Sequence, residues 1–340
     1  VSRFTRYEQL EVTQEMSENR EEGVSIIPIG GLGEFGMNMM AYEYGDDLIV
    51  IDAGLMFPDA DMLGVDLVVP DITYLIENRE KIRGIIVTHG HEDHIGGLAF
   101  LLRQINVPVY GTELTLAISK GRLREYDVLK DAQLNVIHPD THLQLGCFEL
   151  DFIHVAHSIP DTVAIVLHTP IGLIVHTSDF KFDHTPVDNR LTEIHKLTGF
   201  SEKGVLLLVS DSTNADRPGF TPSERDIYPD LDRIFQNAKD CLFLSTFSSS
   251  LHRIQQFVDL AIAHRRLIAV SGRSMNENIR IASELGYLDV PPNLLIDARE
   301  VKHFQPYEVV VLSTGSQGEP RSAMALMAMN NHAFLKIEPG

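Results

Sequence analysis

The chain has 340 residues, 44% hydrophobic and 22% charged, with a formal net charge of −20 at pH 7. That length predicts two domains or one large one, and the charge argues against non-specific polyphosphate binding, whose contacts come from Lys and Arg. No apolar run approaches the ~18–20 residues of a membrane span, and residues 1–23 lack the apolar stretch of a secretory signal.

Residues 1–23, mostly Glu, Arg, Ser and Asn, read as a mobile tail. Short apolar runs follow from Val24, at 48–51, 84–87, 107–110, 148–155, 163–168 and 171–176, with helix candidates at 98–105, 112–120 and 189–197. That mixture predicts sheets covered by helices. From about residue 205 the rhythm becomes regular: strands at 205–210, 241–246, 267–271, 293–296 and 308–313 alternate with helical patterns at 223–238, 250–264 and 275–286. This part reads as a parallel α/β unit. Cys147 and Cys241 stand far apart in apolar stretches and read as buried thiols of a cytoplasmic protein.

Gly31-Leu32-Gly33-Glu34-Phe35-Gly36 matches a dinucleotide fingerprint. A crossover between parallel strands needs a helix of at least ~10–12 residues, whereas Met37–Tyr44 runs through Gly45-Asp46 straight into another apolar run. Strand, tight turn, strand is the better parse, and the glycines let the backbone turn.

The chemistry is concentrated at His89-Gly90-His91-Glu92-Asp93-His94, which holds three of the fifteen histidines between an apolar strand and a helical run. Imidazole and carboxylate ligands at this spacing suit two divalent cations, Zn²⁺ first and Mn²⁺ where oxygen ligands increase. Two cations need distant partners as well. Histidine is frequent downstream, at His154, His168, His176 and His184, but His157 and Asp179 each follow an apolar strand, as the first motif does. Asp179 is placed to bridge the ions. Asp52, also at a strand end, is placed to orient ligand histidines from behind.

THGHEDHIGG (88–97), AHSIPD (156–161) and TSDFKFDHTP (177–186) resemble successive signatures of the metallo-β-lactamase superfamily. GGLGEFGMN (30–38), IDAGLMFPD (51–59), MLGVDLVVPD (62–71), SDSTNA (210–215), FSSSLHRIQQ (247–256), GRSM (272–275) and TGSQGEP (314–320) are similar to the ribonuclease J family of its β-CASP branch. The resemblance implies an α/β fold, a metallo-β-lactamase αββα sandwich over 24–210 and an inserted β-CASP α/β domain over 211–340. Position by position it implies His89, His91 and His157 as ligands of one metal, Asp93 and His94 of a second, Asp179 between them, and Asp211 as the first β-CASP acidic residue. Asp93, Asp179, Asp52 and Asp211 form the implied catalytic set. Met37 stands where many relatives carry a basic residue and Ser178 where Gly is common, both expected to lie off the chemistry. The family pattern also places a last ligand histidine and closing strands beyond Gly340.

The implied activity is 5′→3′ exonucleolytic decay of 5′-monophosphorylated RNA with endonucleolytic cleavage, in RNA decay and maturation. Single-stranded RNA, a homodimer or tetramer, and RNA-degradosome proteins are the implied partners. For RNA the sequence offers Ser- and Gly-rich strand-end loops with Ser248, Ser316 and Gln317, flanked by His252, Arg253 and Arg273. Phe57, in a loop near the metal motif, is a candidate stacking platform. Two rivals stand: another hydrolase of the same fold, such as a DNA nuclease, and a catalytically silent RNA-binding scaffold.

Overall fold

The computed structural model describes residues 23–58, 62–319 and 322–337, so the expected mobile tail lies outside the described residues except for Gly23. One sheet holds β1 (Ser25–Gly30), β2 (Met39–Tyr44), β3 (Asp47–Ile51), β4 (Ile82–Val87), β5 (Val109–Gly111) and β6 (Leu134–Val136) in that order. The first three strands pair antiparallel, and β3 to β6 pair parallel. The glycine-rich loop therefore joins two antiparallel strands, with Gly31, Gly33 and Gly36 at φ +82, +79 and +96°. No dinucleotide crossover exists there.

The second sheet holds β7 (His142–Leu145), β8 (Phe148–His154), β9 (Val163–Thr169), β10 (Gly172–His176) and β11 (Val205–Val209), ordered β11-β10-β9-β8-β7. Period-2 side chains build the layers. On β3, Ile49 and Ile51 face Phe148, Phe152, Val163 and Ile165 between the sheets, while Leu48 and Val50 face the outside. There they meet α1 (Thr73–Glu77), α2 (Glu92–Ile95), α3 (Leu98–Leu102) and α4 (Glu113–Glu125). On the opposite flank Val155, Ala164 and Val166 are covered by Leu197 and Phe200 of α5 (Ile194–Lys203). The result is the expected αββα sandwich.

The third sheet holds β12 (Leu242–Ser245), β13 (Leu267–Ser271), β14 (Leu295–Asp297) and β15 (Val309–Ser313), all parallel, ordered β12-β15-β13-β14. Its helices are α6 (Tyr228–Asn237), α7 (Leu251–Ala263), α8 (Arg273–Glu284) and α9 (Ala323–Ala328). Ile268, Val270, Val310 and Leu312 share one core with α7 and α8. Leu114 of α4 and Ile159 enter that same core, so the α/β unit packs on the sandwich beside the loop that follows β8.

Two elements differ from the sequence reading. The run 205–210 belongs to the sandwich, because β11 pairs parallel with β10. The helix expected over 189–197 begins only at Ile194. The Thr192 and Glu193 side chains accept from the backbone N–H groups of Ala156 and His154, at 2.9 Å each, and tie the preceding segment to the end of β8 outside the helix. Cys147 and Cys241 are free thiols, half-buried rather than buried.

Candidate metal centre

Strand ends from both sheets converge on one edge of the sandwich. His89 follows β4, His91 caps α2 in an extended conformation (φ −77°, ψ 148°), and Asp93 and His94 lie in that helix's single turn. His157 follows β8 and Asp179 follows β10. Gly54 makes the close packing here possible: a Cβ on it would lie 1.7 Å from the Asp93 carbonyl oxygen. Arg122 of α4 braces the loop from outside through Glu92 at 2.8 Å.

Two donor groups form around Asp179. In the first, His91 Nδ1 stands 3.1 Å from both His89 Nε2 and His157 Nε2, and Asp179 Oδ2 is 3.7 Å from His157 Nε2 and 4.0 Å from His89 Nε2. A tetrahedral zinc site with ~2.0–2.1 Å Zn–N bonds puts its nitrogens about 3.3 Å apart, so these donors fit such an ion. In the second, His94 Nε2 stands 3.4 Å from Asp179 Oδ1 and 3.6 Å from Asp93 Oδ2. Each group's ligand atoms lie within 4.8 Å of one another, and Asp179 belongs to both.

Hydrogen bonds behind the ligands decide which nitrogen faces the centre. Asp52, buried in a left-handed conformation (φ +62°), accepts from Thr88 N at 2.8 Å, Thr88 Oγ1 at 3.0 Å and His94 Nδ1 at 2.7 Å. His94 Nδ1 thus carries a proton, and Nε2 is the nitrogen turned to the centre. Thr88 Oγ1 gives its proton to Asp52 and receives one from Ser178 Oγ at 2.8 Å. Its remaining lone pair faces His89 Nδ1 at 3.1 Å, which leaves Nε2 of that ring for a cation. Ser158 Oγ, 3.3 Å from His91 Nε2, does the same for His91, which points Nδ1 inward.

Burial, then the neighbouring imidazoles, hold His89 and His157 well below the usual histidine pKa. Burial lowers His91 to about 4 against the pull of Asp93. These rings are neutral ligands at neutral pH. Burial works against the charge on Asp179, yet His94, His157 and His91 hold its carboxyl well below the usual range. Burial also opposes a charge on His94, but Asp52 and Asp179 outweigh it and raise its pKa.

All six residues expected to ligate metal therefore come together, with Asp52 behind them. Asp211 stays outside both groups: its Oδ1 accepts from Thr213 N at 2.8 Å, and its own N–H donates to Thr177 Oγ1 at 3.1 Å. Among the expected RNA contacts, Phe57 is 60% exposed on the segment that follows Asp52. Ser316 and Gln317 are exposed, Gln317 N donating to Glu319 at 3.2 Å. Ser248 accepts from Asn278 Nδ2 through its carbonyl at 3.0 Å. His252 is buried 3.4 Å from Asp188, and Arg253 pairs with Glu224. Arg273 is exposed and reaches Glu125 of α4 at 3.0 Å.

Sequence reasoning missed the hydroxyls of Thr88, Ser158 and Ser178 and the amide of Asn38, which stands 3.2 Å from Asp93 Oδ2. Ser178 was expected to lie off the chemistry, yet it contacts Thr88 and His89. Each of Thr88, Ser158 and Ser178 adjoins a ligand in sequence, and that adjacency was the available signal.

A sandwich with histidine and aspartate ligands at its strand ends defines a class, and the comparisons agree. Residues 32–222 match the metallo-β-lactamase superfamily model, so the chain belongs to that superfamily. Residues 239–340 match the model of the ribonuclease J β-CASP domain. The chain is 46% identical to ribonuclease J of Thermus thermophilus over 94% of this chain and 57% of that protein. It is 44% identical to ribonuclease J of Synechocystis over 96% of this chain and 51% of that one, and 40% identical to ribonuclease J2 of Bacillus subtilis over 96% and 59%. The chain thus spans about half the length of the curated relatives it matches. In fold it is similar to a crystal structure of a protein of unknown function from Enterococcus faecalis, with a TM-score of 0.61 at 16% identity, covering 85% of this chain and 76% of that one.

Proposed function

We propose that this chain carries the catalytic centre of a metal-dependent ribonuclease that degrades 5′-monophosphorylated RNA in the 5′→3′ direction and also cuts internally. The observation that carries the reading is the pair of ligand groups sharing Asp179. Bound there, two divalent cations supply a nucleophile from water at neutral pH and neutralise charge on a phosphodiester. Zn²⁺ suits the three-imidazole group, and the more oxygen-rich second group also suits Mn²⁺.

The chain's own residues prepare that chemistry. Asp52, Thr88, Ser178 and Ser158 fix the imidazole orientations, so the ligand nitrogens are turned inward before any ion arrives. Asp179 stays ionised between the two groups. Asp93, with 41% of its side chain exposed, is the more accessible carboxylate for a proton from the attacking water. The α/β unit packs beside the His157 loop through Ile159, which supports single-stranded RNA entering between the two units. There Ser316, Gln317 and Arg273 are exposed to meet phosphates and Phe57 to stack on a base. In this reading Asp211 stabilises the turn beside Thr177 that supports Asp179.

Likeness to proteins named ribonuclease J supports RNA as substrate; a homodimeric or tetrameric assembly, degradosome partners and a cytoplasmic setting are part of the same proposal. No helix among the described residues is long and apolar enough to cross a membrane. The test is a time course on one RNA bearing either a 5′-monophosphate or a 5′-triphosphate, after chelation and again after Zn²⁺ or Mn²⁺ is restored. The reading expects mononucleotides from the monophosphorylated RNA only when metal is present. RNA bound but never cut, with metal restored, would favour the silent scaffold.

A further inference from the structure

Asn38 ends the glycine-rich loop, 55 residues before Asp93, and its side chain lies at the second donor group. Its Nδ2 is 3.2 Å from Asp93 Oδ2 and 3.1 Å from His94 Nε2. An ionised carboxylate can only accept, so the amide edge facing it is the NH₂. Among the described residues this is the only hydrogen bond the Asp93 carboxylate accepts. Asp52 is held by three, and Asp179 is flanked by imidazoles. Asp93 is also the more exposed carboxylate of the pair, 41% against 27%, and free rotation would carry its oxygens away from His94.

We propose that Asn38 is a positioning residue of the second cation site, its amide holding the Asp93 carboxylate toward the point it shares with His94 and Asp179. The backbone makes the amide a rigid donor. Asn38 N donates to Asp93 O at 2.9 Å, and Asn38 O accepts from Gly54 N at 2.9 Å, so the residue is clamped between the metal loop and the segment after β3. Gly31 leaves room behind it: a Cβ there would lie 2.6 Å from Asn38 Oδ1. The NH₂ carries two hydrogens. One serves Asp93, and that bond keeps Nδ2 partnered when a cation occupies His94 Nε2.

This proposal rests on the two-cation reading, and the test separates them. Co²⁺ is titrated into metal-free wild-type chain, Asn38→Ala and Asn38→Ser, with calorimetry for stoichiometry and visible absorption for the environment of each ion. Both variants keep the backbone clamp, and the serine hydroxyl is too short to reach Asp93. Wild type is expected to take two ions. Both variants are expected to bind the nitrogen-rich site within about twofold of wild type, and the second site ~10–100-fold more weakly, as outer partners of metal ligands do. An unchanged second site overturns the role of Asn38 and leaves the two-cation reading standing. Joint loss of both ions would make Asn38 merely structural and overturns the proposal. A wild-type chain that takes a single ion overturns both.

Discussion

His94 donates through Nδ1 to Asp52 across 2.7 Å, with both side chains almost wholly buried. Because Asp52 also accepts from the backbone and hydroxyl of Thr88, one carboxylate orients a ligand of the second group directly and, through Thr88, His89 of the first. Asp52→Ala should therefore weaken both ions, about 10–100-fold each. Calorimetric titration with Zn²⁺ checks this, and loss at the His94 site alone would break the link through Thr88.

Ser178 joins a strained backbone (φ +56°) to a hydroxyl that contacts Thr88 and His89. Ser178→Ala and Ser178→Gly both remove the hydroxyl, but only glycine relieves the left-handed strain, worth roughly 1–2 kcal/mol. The glycine variant should be the more stable of the two in urea unfolding. Both should bind the first ion about tenfold more weakly. Equal stability, or unaltered affinity, would contradict one half of that account.

Asp47 pins the two sheets together. Its Oδ2 accepts from Cys147 N at 2.7 Å, and its Oδ1 accepts from Arg83 at 2.5 Å. Burial opposes the charge, but Arg83 and the Cys147 N–H outweigh it and lower the carboxyl pKa. A lowered folded-state pKa gives stability that is present above the unfolded value near ~3.9 and is lost as pH falls through the folded value. Asp47→Ala should cost about 1–3 kcal/mol at pH 7. It should also flatten the loss of stability below pH 4 in metal-free protein, as unfolding curves at pH 3 and pH 7 would report.

Phe57 offers an exposed ring on the segment that follows Asp52. Phe57→Ala should weaken single-stranded RNA binding by about 1–3 kcal/mol while metal content stays constant. Fluorescence anisotropy with unrelated RNAs checks it, and a loss limited to one sequence would argue for base reading instead of stacking.

Much of the sandwich was legible because β3, β4, β8 and β9 are short apolar runs set off by turn residues, and the period of two splits each between two faces. Ile49 and Ile51 had to face one way and Leu48 and Val50 the other. The ligands were legible because His89 to His94 are contiguous, and because His157 and Asp179 end apolar strands. For the run 205–210 the rhythm suggested the α/β unit and the resemblance the sandwich, because an unbroken apolar strand does not say which neighbour it pairs with; β11 pairs with β10. Asn38 was missed because its partner lies 55 residues away and only the fold joins them.

Asp179→Asn bears most directly on the central claim, because this one side chain belongs to both donor groups. Bound metal per chain and turnover of 5′-monophosphorylated RNA should be measured together on wild type and variant. The account predicts two ions and hydrolysis in wild type, and in the variant the loss of at least one ion with turnover lower by on the order of a thousandfold. A variant that keeps near-normal RNA hydrolysis, or a wild type that hydrolyses RNA after complete metal removal, would contradict it.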